Sequence, residues 1–150
     1  MKKKLLICIQ NSYVLNQYED DFRELSNKFD ITLIISNYLI DSKKKENLKK
    51  FANNISIDRF FIIPFYSNGL DRNIFDIMNT HFFLKNLKKK INFNKFSSCI
   101  SDGKVFLWQR VILETLLNKQ CIQIGISHDI ITMPIQKFKE LLDGKDIYIL

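Results

Sequence analysis

Short apolar, β-branched runs recur along the chain, and between them lie longer segments in which apolar residues return every three or four positions. Neither a helical bundle nor a series of hairpins accommodates both periods. Repeated strand–helix units do, and their crossovers lay the strands parallel in one sheet. The strands read as "LLICIQ" (Leu5 to Gln10), "ITLIIS" (Ile31 to Ser36), "RFFIIPF" (Arg59 to Phe65), "FSSCIS" (Phe96 to Ser101), "CIQIGIS" (Cys121 to Ser127) and "DIYIL" (Asp146 to Leu150). Such continuous apolar character calls for burial on both faces. The expected fold is α/β: a doubly wound, mainly parallel sheet of about six strands with helices on both faces, Rossmann-like.

Between the strands, "YEDDFRELSNKF" sets Tyr18, Phe22, Leu25 and Phe29 on one helical face, and "NIFDIMNTHFFLKNLKKK" sets Ile74, Ile77, Met78, Phe82 and Leu87 on another. "VFLWQRVILETLL" does the same with Val105, Trp108, Ile112, Leu113 and Leu116. These stripes are expected to cover the sheet. "SKKKENLKKFANN" offers only Leu48, Phe51 and Ala52 and is expected at the periphery. His81, in "NTHFFL", reads as a boundary residue packed on the sheet. With 150 residues, no internal repeat and no Pro- or Gly-rich linker, residues 1–150 read as one domain. The chain stops inside its last strand, at "DGKDIYIL", as a cut at a domain edge would leave it. It is therefore expected to be part of a longer protein.

Composition narrows the chemistry. Cys8, Cys99 and Cys121 each sit in an apolar stretch without CxxC spacing, so they read as buried small residues in a reducing compartment, with no disulfide framework and no metal site. The opening "MKKKLLICIQNS" has an apolar run shorter than the roughly 7 to 15 residues of a signal-peptide core, and no run approaches the ~20 residues of a membrane span. A cytoplasmic location is expected. The net charge of +7 is carried by lysine clusters at Lys2 to Lys4, Lys43 to Lys45, Lys49 to Lys50 and Lys88 to Lys90. They read first as solvated helix faces and strand starts, and second as a surface for an anionic partner. No interleaving of aromatic and basic residues marks a specific nucleic-acid site.

In a doubly wound sheet, ligands collect outside the carboxyl ends of the strands. After the first strand comes "QNSYVLNQYED", which contains Asn11 and Ser12 but no glycine for pyrophosphate to approach, so no NAD, FAD or other cofactor is expected. After the third comes "PFYSNGLDRN", where Arg72 meets an anion or Asp71 simply caps the next helix. After the fourth, Ser101, Asp102 and Gly103 precede a helix; either Asp102 caps it or its free N–H groups receive a negative ligand. The fifth delivers "SHDII". His128 either takes a proton from a hydroxyl or bonds a backbone carbonyl, and Asp129, pointing the other way on an extended backbone, sets the local charge.

The segment "SDGKVFLWQRVILETLLNKQCIQIGISHD", Ser101 to Asp129, resembles the amino-terminal half of a GT-B glycosyltransferase. The shared pattern is a strand ending near Asp, a helix, then a strand of the type "gIP.v.iqHg" whose histidine faces the acceptor cleft. The resemblance implies a surface-polysaccharide or lipopolysaccharide enzyme in which His128 is the catalytic base, with Asp129, Asp102 and the loop after the first strand as cleft walls. It further implies a sugar acceptor, a nucleotide-sugar donor held by a carboxyl-terminal domain absent from this chain, and peripheral contact with an anionic membrane. Asp129 stands where many relatives have glycine, and "QNSYVLNQ" replaces their glycine-rich first loop. A nucleotide-sugar epimerase shares the two-domain plan. A stand-alone flavodoxin-like or receiver-like module is the contrasting class, although the receiver's phosphate-site aspartate and lysine are missing from "IIPF" and "GISHD".

Overall fold

The computed structural model describes residues 1–36, 42–63, 74–103 and 106–126. In chain order the elements are β1 (Lys3–Ile9), α1 (Tyr13–Gln17), α2 (Glu19–Lys28), β2 (Phe29–Ser36), α3 (Ser42–Asn54) and β3 (Arg59–Ile63). There follow α4 (Ile74–Lys90), β4 (Phe96–Ser101), α5 (Leu107–Val111), which continues as a π-helical turn over Ile112–Leu116, and β5 (Ile122–Gly125). The strands form one sheet of order β3-β2-β1-β4-β5, every pairing parallel. The chain therefore winds outward from β1 to β3, then returns to the other side of β1 at β4. That reversal makes the β1/β4 crevice the topological switch point.

β1 shows why the sheet needs two helical layers. Its alternate residues divide between two cores: Leu6 and Cys8 join Leu84, Leu87, Trp108 and Ile112 on the α4–α5 side. Leu5, Ile7 and Ile9 join Val14, Phe22, Leu48 and Phe51 on the side of α1, α2 and α3. Period-two alternation in a strand buried on both faces produces this division. The fold is thus the expected Rossmann-like α/β sandwich, with five strands among the described residues. The strand expected at Asp146 to Leu150 lies outside the described residues, as does the end of the third beyond Ile63.

Three expectations are corrected by the packing. α3 is not peripheral: Leu48 and Phe51 are buried, and the Phe51 ring meets Phe22 edge-on at 6.1 Å between centroids. Two buried anchors, one aliphatic and one aromatic, suffice to seat a helix otherwise made mainly of Lys and Asn, each stabilising by about 1.5–3 kcal/mol. Of the α4 stripe expected to be buried, Ile74, Ile77, Met78, Phe82 and Leu87, Leu87 alone is buried. Thr80, Leu84 and Leu87 face inward, whereas Ile74, Ile77, Met78 and Phe82 are exposed. Because α4 carries apolar residues around most of its first three turns, period alone does not select a face. His81 follows that outer face into solvent, its ring 6.0 Å from Phe82. In addition α1, a short helix hidden within "YVLNQ", packs Val14 and Leu15 against the sheet.

Candidate functional site at the carboxyl edge

β1 and β4 end side by side, and the residues that follow them are tied together by one carboxylate. Asp102 accepts hydrogen bonds from the backbone N–H of Gln10, at 3.0 and 3.1 Å to its two oxygens, and from that of Asn11 at 2.9 Å. The Gln109 side-chain amide donates to the same carboxylate at 2.6 Å and to the Cys8 carbonyl at 3.3 Å. Next to it on α5, Trp108 Nε1 donates to Gln10 Oε1 at 2.7 Å. Gly103 follows at φ +145°, a backbone angle that side-chain-bearing residues rarely adopt, which lets the chain turn away directly after Asp102.

This arrangement corrects the reading of Asp102 as a helix cap. α5 begins after Phe106, with no side-chain cap, and the Asp102 carboxylate reaches across the switch point instead. In dinucleotide-binding sheets, N–H groups after the first strand turn toward a phosphate. Here Asp102 supplies the negative group. A phosphate arriving at the loop after β1 meets N–H groups already bonded and a like charge beside them, which accounts physically for a loop that lacks glycine.

Beside this clamp lies a cavity of about 150 Å³ lined by Asn11, Ser12, Tyr13, Asn16, Asn47 and Leu48. The first four come from the loop after β1 and from α1, the last two from α3. Leu48 is buried, and the remaining groups are amides and hydroxyls that both donate and accept hydrogen bonds. Asn11 is fixed at both ends, its own N–H on Asp102 and its Oδ1 accepting from the Tyr13 N–H at 3.0 Å. Among the described residues, no lysine, arginine or carboxylate lines the cavity. Its chemistry matches a neutral, hydroxyl-rich ligand.

The structure thus brings Asn11, Ser12, Asp102 and Gly103 to one edge of the sheet, as expected from their positions after β1 and β4. Arg72, His128 and Asp129 lie outside the described residues. Tyr13, Asn16 and Asn47 were missed by sequence reasoning. The available signal was the density of asparagine and serine in "QNSYVLNQ" once that segment is recognised as a helical turn.

The cysteines are buried, and none offers a nucleophile. Burial, reinforced by the neighbouring Cys99, pushes the Cys8 thiol well above its ordinary range. Burial likewise pushes Cys121 up to about 11, so both stay protonated at neutral pH. Among the described residues no group of three His, Cys, Asp or Glu side chains is placed to hold a metal ion, and no helix is long and apolar enough to cross a membrane. The fold and its switch point define a Rossmann-like α/β domain. Comparison with protein-family models, curated proteins and solved structures finds no match to this chain.

Proposed function

We propose that this chain is the acceptor-side domain of a glycosyltransferase, which transfers a sugar from a nucleotide-sugar donor to a surface glycan or glycolipid. One observation carries the reading: the carboxyl edge pairs a cavity whose described lining carries no charge with a switch point whose N–H groups are occupied by Asp102. Neutral hydroxyls suit the first, and the second turns a nucleotide diphosphate away. In such a reaction the acceptor hydroxyl attacks the anomeric carbon, and the bond from that carbon to the diphosphate breaks. His128, in the segment after β5, is the candidate base that takes the hydroxyl proton. The donor would be held by a second domain.

The cavity is tested by titrating the ¹⁵N-labelled chain with neutral disaccharides and, separately, with a nucleoside diphosphate. Saccharide is expected to shift the side-chain amide signals of Asn16 and Asn47. The combined Asn16→Ala and Asn47→Ala variant is expected to bind about tenfold more weakly, consistent with two lost hydrogen bonds. Nucleotide-induced shifts at the Gln10 and Asn11 N–H signals, with none from saccharide, would overturn the reading. In the enzyme joined to its donor domain, His128→Ala is expected to lower turnover while circular dichroism stays unchanged. An unaltered rate removes His128 from the mechanism.

A further inference from the structure

A second cavity, of about 220 Å³, opens at the amino edge of the sheet on the α4 side. Strand alternation places its walls there: Lys4 is in phase with Leu6 and Cys8, Asp30 and Thr32 with Ile34, and Arg59 with Phe61 and Ile63. Register then sets Lys4 beside Asp30, and Thr32 beside Arg59, on neighbouring strands. Asp58 just before β3, Lys90 at the end of α4 and Lys95 just before β4 complete the charged lining. Arg59 Nη1 donates to the Lys90 carbonyl at 2.7 Å, which serves the end of α4, where the helix dipole favours a cation. The remaining charges are not used up within the protein. None of Lys4, Arg59, Lys90 or Lys95 forms an ion pair among the described residues, although Asp30 and Asp58 line the same cavity. Thr32, only 5% exposed, also lines it, and its hydroxyl meets no partner among the described residues.

We propose that this amino-edge cavity binds a small phosphomonoester that also carries hydroxyl groups. Four cations against two carboxylates leave two positive charges, which a phosphate dianion neutralises. Arg59 keeps guanidinium donors beyond the one on Lys90, in the fork geometry that matches phosphate oxygens. Ionised Asp30 and Asp58 only accept hydrogen bonds, so the part of the ligand that faces them must donate. Hydroxyls donate without adding charge, whereas an ammonium group there would offset the phosphate and leave the cavity's excess uncompensated. Thr32 both donates and accepts, and so serves either part of the ligand. Nucleic acid fits worse, because two carboxylates set among the cations repel a run of phosphates. The cavity lies at the opposite end of the strands from the Asn11–Asn47 cavity, so either assignment can fail without the other.

The test is titration of the ¹⁵N-labelled full chain, at constant ionic strength, with glycerol phosphate and separately with sulfate, a dianion that has no hydrogen to donate. Glycerol phosphate is expected to give saturable shifts at the Lys4, Thr32 and Arg59 N–H signals and to bind more tightly than sulfate. The double variant Lys4→Gln, Lys95→Gln should weaken it by about tenfold, at roughly threefold per exposed lysine. The double variant Asp30→Asn, Asp58→Asn is expected to separate the two probes. It weakens glycerol phosphate, which loses two charged acceptors, and tightens sulfate, which loses two like charges, so their affinity ratio falls by about tenfold. Lys4, Asp58 and Lys95 are exposed and Asp30 is partly so, and unchanged circular dichroism confirms that folding is intact. Sulfate that binds the unsubstituted chain as tightly as glycerol phosphate overturns the proposal, the cavity then holding an adventitious ion only. Undiminished binding by the lysine variant, an unchanged ratio in the asparagine variant, shifts centred on Asn11 and Asn16, or no saturation each overturn it as well.

Discussion

Asp102→Ala is expected to lower the unfolding free energy by about 3 kcal/mol, as urea denaturation followed by fluorescence of the sole tryptophan, Trp108, would measure. The carboxylate receives the N–H groups of Gln10 and Asn11 and the Gln109 amide, and each bond to a charged acceptor contributes about 1.5–3 kcal/mol when measured alone. The sum is not additive, because the site is part-exposed and water replaces some of the lost partners. The larger cost is positional. Alanine removes the side chain through which the residue after β4 holds the loop after β1. Asp102→Asn keeps one carbonyl oxygen and is expected to lose about half as much. Hydrogen exchange offers a local check, since the Gln10 and Asn11 N–H groups should exchange faster in both variants. A loss below about 0.5 kcal/mol would show that water serves the loop as well as the carboxylate does.

Trp108→Ala is expected to cost about 4 kcal/mol, within the range for deleting a large aromatic side chain from a core. Trp108 is 1% exposed and packs with Leu6, Cys8 and Ile112 on the α4–α5 side of the sheet. Its indole also has a polar task. Gln10 is buried; its Oε1 receives the indole N–H, while its Nε2 finds no acceptor among the described residues. Trp108→Phe keeps most of the apolar contact but leaves the Gln10 amide with neither end bonded, an added cost of about 1–3 kcal/mol. Removing both polar partners should reverse part of that loss. The Gln10→Leu, Trp108→Phe double variant is expected to be more stable than Trp108→Phe alone, measured by thermal denaturation at 222 nm. If Gln10→Leu instead compounds the loss, the amide makes an interaction worth more than its bond to the indole.

Much of the sheet was legible because β-branched runs buried on two faces leave few alternatives. "FSSCIS" becomes β4 with both expected ends, and "ITLIIS" lies inside β2, which starts earlier at Phe29. The helices were less legible where hydrophobicity is not one-sided. α4 has apolar residues on both its inner and outer faces, so the choice of buried face depended on the sheet beneath it. α1 was hidden because a single helical turn gives too few residues to establish a period. The switch point was half legible. Topology placed Asn11, Ser12, Asp102 and Gly103 at one edge, but the bond from Asp102 to residues more than ninety positions earlier is a tertiary fact. Asn47 joined the cavity through the same kind of long-range contact.

The position of β1 at the centre of the sheet has a consequence for synthesis. It leaves the ribosome before the other four described strands, and β2 soon follows to pair with it from Lys3 to Ile9. Its second neighbour, β4, is translated only after two more strand–helix units, when Phe96 to Ser101 appear and align with Lys4 to Cys8. Until then the nascent chain has a three-stranded half-sheet with an open inner edge, and Trp108 and Ile112 have not yet been made to cover Leu6 and Cys8. Such an edge invites wrong pairings. The part of this protein most deeply enclosed at the end is thus the part that waits longest in the open.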